Sequence, residues 1–253
     1  MNQYHLSLSF TGLLFIGMLV MNTLANSLPL NGQTTGGVSY QYPNLFQPAG
    51  VTFSIWGVIY LLLGAFVVSQ FMSWKTDVTT LDYPITTILW LFSITSLFNI
   101  GWLVLWHYDQ IALSTVVMVL LLATLLVILY LAKDAPLLLR ASFSVYAGWI
   151  SIATVANFTI LFVKLGVEPF TEKAVVYTII MFVISALLGI FYMVIKKNIF
   201  YGAVFIWAYV GIFIRFLKQE GLPQSFPALM YTSLTLLIIL AGSVIYLGYD
   251  TLK

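Results

Sequence analysis

Long apolar runs separated by short polar breaks dominate the chain. They lie at about Leu6 to Ala25, Val51 to Trp74, Pro84 to Trp106, Ile111 to Ala132, Leu137 to Val163, Ala174 to Ile195, Ile199 to Leu217 and Phe226 to Tyr249. A helix needs roughly 20 apolar residues to cross a hydrocarbon layer about 30 Å thick, and each run is near that length. Strands of a membrane barrel would alternate over about 10 residues, whereas these runs are apolar on every side. The pattern therefore predicts an all-α fold, a polytopic transmembrane helix bundle of about eight helices.

The breaks differ in character. Asn26 to Gly50 is the longest, carries no charge, and combines Pro29, Gly32, Gly36, Gly37, Pro43 and Pro48 with Tyr40, Tyr42 and Phe46. Such an aromatic, uncharged segment is expected to fold as a cap on the membrane surface rather than as a disordered linker. The first run ends near small residues, as a cleaved signal peptide would, but Met1 to His5 has no Lys or Arg. A retained first helix is the expectation, with a signal peptide as the alternative. Counting alternate sides puts Lys75, Lys133, Arg140, Lys196, Lys197 and Lys253 on one face and Lys164, Lys173, Arg215 and Lys218 on the other. The bias predicts a cytoplasmic N-terminus with the capping loop on the opposite side. No internal repeat is visible, so the inverted-repeat pattern of many transporters is missing.

Composition sharpens this picture. Of 253 residues, 61% are hydrophobic and 7% charged, which excludes a water-soluble domain. Ten basic and eight acidic residues are scattered along the chain without a basic block, so nucleic acid is not an expected partner. The chain has no cysteine, hence no disulfide, thiolate nucleophile or thiolate metal ligand.

Polar and aromatic side chains inside the runs carry more information, because Leu or Val would serve equally well for spanning. Trp56 and Tyr60 are four apart on the second span, with Gly57 and Gly64 offering room for close approach. Asn99, Trp102 and Trp106 follow i, i+3, i+7 on the third, and Tyr146, Trp149, Ala153 and Asn157 follow i, i+3, i+7, i+11 on the fifth. Three such faces can converge on one aromatic-walled pocket. The plainer readings are interfacial anchoring for Trp74, Trp90 and Trp106, and helix-to-helix hydrogen bonds for Asn99 and Asn157. Arg215 reads as a snorkelling side chain and His107 as a solvated residue at a helix end.

The order of these residues resembles a known family. Phe46-Gln47-Pro48-Ala49-Gly50-Val51-Thr52-Phe53-Ser54-Ile55-Trp56-Gly57-Val58-Ile59-Tyr60 resembles the start of the second helix in the tryptophan-rich sensory protein and translocator protein family, also called the peripheral benzodiazepine receptor family. Asn99-Ile100-Gly101-Trp102 resembles its third-helix Asn-x-x-Trp element. The stretch from Tyr146 to Phe158 resembles its fifth-helix Tyr-x-x-Trp-x-x-x-Ala-Thr-x-x-Asn-aromatic pattern without a gap. Two departures stand out: Gly50 occupies the place of a usual Trp, and Pro48 alone remains of a proline pair.

The resemblance covers about Leu6 to Gly166. It divides the chain into a translocator-like five-helix unit at 1–166, with loop 26–50 as its cap, and three additional C-terminal helices at 167–253. By resemblance, the ligand-binding residues are Trp56, Tyr60, Asn99, Trp102, Tyr146, Trp149, Ala153 and Asn157, and the ligand is hydrophobic and often planar, of porphyrin or sterol type. Stacking on indole faces and hydrogen bonds from Asn and Tyr would suit such a molecule.

Three functions compete. A sensory or translocator-type binding protein without turnover is the leading reading, and a transporter of a small apolar or amphipathic solute is the alternative. Ion coupling would call for ionisable groups near the midplane, where none clearly lies. An enzyme acting on a bound tetrapyrrole is disfavoured, since the deep positions supply only Tyr, Trp and Asn. No cofactor is required and no metal site is expected. His5 and His107 are poor candidates for haem ligation, so any porphyrin bound would be metal-free. Expected partners are membrane lipid, the hydrophobic ligand and a second copy of the chain as a homodimer. The expected location is the cell membrane.

Overall fold

A computed structural model describes residues 3–28, 30–75 and 78–250, the last two by their backbone alone. Pro29 and Lys253, used above, lie outside the described residues. The helices are α1 (Gln3–Ser27), α2 (Thr35–Gln41), α3 (Ile55–Met72), α4 (Ile85–His107), α5 (Ile111–Leu131), α6 (Leu137–Lys164), α7 (Glu172–Lys196), α8 (Ile199–Lys218) and α9 (Pro227–Asp250). One 3-10 turn, Gly50–Ser54, leads into α3. Eight of these segments are long and apolar enough to cross a membrane, at the places the hydropathy pattern predicts. The short α2 is the element the pattern did not reveal. Its first turn is closed by the Thr34 hydroxyl, which accepts from the Gly37 N–H at 3.1 Å.

Local chemistry ends the helices where the apolar runs stop. The Thr171 side chain caps α7 by accepting from Ala174 N at 3.2 Å, and Asn198 caps α8 by accepting from Tyr201 N at 3.1 Å. Lys197 and Gln219 take left-handed backbone conformations that close α7 and α8, with φ of 48° and 54°.

The chain divides into two compact units, one of residues 1–41 and 56–147, the other of residues 42–55 and 148–253. This division falls within α6, between Ala147 and Gly148, and within the first loop, whereas the resemblance draws its line after Gly166.

The first unit packs α1 against α4 and α4 against α5. The buried Thr11 hydroxyl donates to Leu89 O at 2.8 Å, so a polar group inside the bundle is satisfied by a neighbouring backbone. Phe66, Phe92 and Phe143, each no more than 1% exposed, meet with ring centroids 5.1 to 6.1 Å apart. Edge-to-face aromatic pairs of this kind add about 0.5–1.5 kcal/mol beyond their buried area.

The second unit packs α7, α8 and α9 together. Glycines set the closest approaches. A Cβ on Gly189 would lie 2.5 Å from the Phe205 ring, and one on Gly148 would lie 3.1 Å from Tyr201 O. The Tyr209 hydroxyl lies 2.6 Å from Ser185 Oγ and donates to Phe182 O, tying α8 to α7.

Candidate functional site

Four of the residues singled out above meet in the first unit. On α3, one helical turn separates Trp56 from Tyr60, and their rings stack with centroids 5.5 Å apart and planes 25° apart. Tyr146, fully buried on α6, presents its ring to Trp56 edge-on at 6.2 Å. Asn99 of α4 donates from Nδ2 to the Tyr146 hydroxyl at 3.1 Å. Its Oδ1 accepts from Asn22 Nδ2 at 2.7 Å, and Asn22 also donates to Met18 O at 2.9 Å. A chain of hydrogen bonds thus runs from α1 through α4 to α6 and ends on a tyrosine.

The endpoints of that chain matter chemically. The Tyr146 hydroxyl accepts from Asn99, but its own proton meets no acceptor among the described residues, and the Tyr60 hydroxyl has no hydrogen-bond partner there either. Trp56 and Tyr60 are half-buried, so the wall is a partly open aromatic shelf beside two phenols. A Cβ on neighbouring Gly57 would meet nothing within 4 Å. Such a wall can stack on a flat apolar molecule and donate from half-buried Tyr60 to an acceptor at its edge, with the fully buried Tyr146 behind it.

The other sites fall differently. Trp102 is 7% exposed, with its ring 5.6 Å from Trp106. Trp149, Ala153 and Asn157 belong to the second unit. There Trp149 meets Phe53 edge-on at 5.8 Å and 89°, and Asn157 Nδ2 donates to Ala153 O at 2.9 Å, within its own helix.

Three sequence expectations need correction. Trp106 is 3% exposed and donates from Nε1 to Thr35 O at 3.1 Å, so it seats α2 instead of anchoring at the interface. His107 is not solvated: it is 2% exposed, with Nδ1 2.8 Å from Leu103 O and its backbone O accepting from Asn31 at 2.9 Å. Residues 30–41 cover it. Arg215 does not snorkel. It is 5% exposed, its Nη1 donates to Asn44 O at 2.8 Å and Gln47 O at 2.7 Å, and its Nε donates to Glu220 O at 3.1 Å.

That arginine is one of several ties on the strap 42–54. Ala49 N donates to Gly211 O at 3.0 Å, Gly50 N to Glu220 Oε1 at 3.2 Å, and Trp207 Nε1 to Thr52 O at 2.9 Å. Asn44 Oδ1 closes the strap on itself, accepting from Phe46 N at 3.1 Å and Gln47 N at 3.0 Å. In the sequence, Asn22 carries a signal of the same kind as Asn99, a lone amide inside an apolar run. The strap contacts carry none, because their partners are about 150 to 170 positions away.

Eight apolar spans and a helical bundle with intramembrane amides define the class, an integral multi-pass membrane protein. A protein-family model described as TSPO-like protein matches residues 8–246, and the chain belongs to that family. The match continues past Gly166 through α7 and α8 and into α9, beyond the reach of the sequence resemblance. No curated protein and no solved structure matches the chain.

Proposed function

We propose that this protein binds a hydrophobic, planar ligand of porphyrin or sterol type on the wall formed by Trp56, Tyr60, Asn99 and Tyr146, and acts as a sensor or translocator without catalytic turnover. The observation that carries the reading is the pair of phenols beside the stacked indole. Tyr60 and Tyr146 each keep a proton without an acceptor among the described residues, next to an aromatic face that is only half-buried. A metal-free porphyrin matches this chemistry, since its flat ring offers stacking area and its carbonyl-bearing edge offers acceptors. Asn22 and Asn99 hold the Tyr146 hydroxyl in place, which lowers the ordering cost on binding. The cell membrane is the proposed site of action.

Titration of the purified chain with protoporphyrin IX, followed by Trp fluorescence, tests this reading. The wild-type protein should show saturable quenching. Each phenol contributes about 1 kcal/mol, so the Tyr60→Phe/Tyr146→Phe double variant should bind roughly tenfold or more weakly. Isotherms that are the same for wild type, the double variant and Trp56→Leu would remove the site.

A further inference from the structure

The second unit contains a cavity of about 390 Å³ between the strap, the end of α6, the following turn and the start of α7. We propose that this cavity is a separate binding site for a small organic monocation with an apolar body. Its size lies at the lower end of the range for small-molecule pockets, about 300–1,000 Å³. Leu45, Phe46, Phe162, Ala174 and Met181 provide apolar surface, with Glu168 at the edge.

The wall is built, not incidental. Leu45 and Phe46 are 2% and 0% exposed, on a strap whose carbonyls at Asn44 and Gln47 are held by the buried guanidinium of Arg215. Phe46 packs on Phe182 with ring centroids 5.5 Å apart, which keeps the strap side in place before any ligand arrives.

Charge and ring chemistry select the occupant. The threonine and asparagine side chains of the lining are already engaged. Thr159 donates to Ala156 O at 2.7 Å, with Asn44 Oδ1 3.4 Å from its hydroxyl, and Thr178 donates to Ala174 O at 2.8 Å. Apart from the Tyr177 hydroxyl, the lining therefore offers dispersion and ring contact. Glu168 is the sole charged side chain in the lining, and it makes no ion pair among the described residues. Lys164 stands over the Tyr42 ring, 5.8 Å from its centroid, and is not part of the lining. The rings of Phe162 and Tyr177 add negative faces that attract a cation within about 6 Å. A carboxylate at the mouth of an aromatic cavity favours a cation over an isosteric neutral molecule or an anion.

Equilibrium binding of tritiated tetraphenylphosphonium to the full chain in phosphatidylcholine nanodiscs tests the proposal. Binding should saturate and resist competition by neutral triphenylphosphine oxide. Glu168→Gln should weaken it roughly fivefold, the scale of a partly exposed charge contact. Ala174→Phe fills the cavity and should abolish binding, with Met181→Trp as a second filling variant should the first not fold. Trp56→Leu, in the first unit, should leave binding unchanged, which separates this site from the porphyrin reading. Non-saturable uptake, binding indifferent to the filling variants or to Glu168→Gln, or loss in Trp56→Leu would each overturn it.

Discussion

Arg215 Nη1 donates to the carbonyl oxygen of Asn44 at 2.8 Å, across 171 positions of sequence. The same guanidinium holds Gln47 O and Glu220 O, so one buried cation fastens the strap 42–54 to the end of α8. A planar fork with several donors suits this task, because the carbonyls approach from different directions.

Replacing Arg215 by Met should release the strap. Each hydrogen bond to a charged group contributes about 1.5–3 kcal/mol, so the loss should be several kcal/mol. Arg215→Lys keeps the charge but not the fork and should fall between wild type and Met. Thermal unfolding in detergent and limited proteolysis between residues 44 and 54 read the effect, with fastest cleavage in Arg215→Met. Equal cleavage of all three proteins would show that the strap is held by its other ties.

The strap also crosses α8 at very close range. Thr52 is 1% exposed, its hydroxyl has no partner among the described residues, and a Cβ on Gly211 would overlap it. Thr52→Val replaces an unsatisfied buried hydroxyl with a methyl and should raise stability by about 1 kcal/mol. Gly211→Ala should lower it by about 1–3 kcal/mol through overpacking, partly rescued by Thr52→Gly. A shift in melting temperature of opposite sign for either single change would contradict the packing described.

The chain Asn22, Asn99, Tyr146 should behave as a coupled unit. Asn99→Leu leaves Asn22 Nδ2 with Met18 O alone and the Tyr146 hydroxyl without its donor, at a cost of about 1–3 kcal/mol. Tyr146→Phe removes a single acceptor and should cost about 0.6 kcal/mol. A double-mutant cycle on Asn22 and Asn99 should give a non-zero coupling energy in denaturation experiments. Strict additivity would mean that the two amides act separately.

Orientation is accessible because the chain lacks cysteine. Lys133 and Lys173, both exposed, flank α6 before and after its crossing. With a cytoplasmic N-terminus, a membrane-impermeant maleimide should label Lys173→Cys but not Lys133→Cys in intact cells. The reverse pattern would invert the topology drawn from the Lys and Arg bias.

Much of the site was readable because side-chain identity inside an apolar run is itself a signal. Trp56, Tyr60, Asn99 and Tyr146 stand on single helical faces, and helical periodicity carries over directly into space. Asn22 obeyed the same rule and could have been read with them. Trp106, His107 and Arg215 differ from the sequence expectation for a common reason. Position near a helix end predicts exposure only if nothing covers that end, and residues 30–41 cover Trp106 and His107 while residues 42–54 cover Arg215. The strap's uncharged, aromatic composition announced a folded cap but not its partners.

The number, position and helical nature of the eight spans followed from sequence alone, since lipid makes each residue's hydropathy and each backbone group's internal pairing a local requirement. Which polar groups meet was left to the tertiary structure. Asn22 to Asn99 spans 77 positions and Arg215 to Asn44 spans 171, and hydrogen bonds between separate segments depend on helix packing that no local pattern encodes. The cavity beside Phe46 and Glu168 arises in the same way, from a loop and two helices brought together only by the fold.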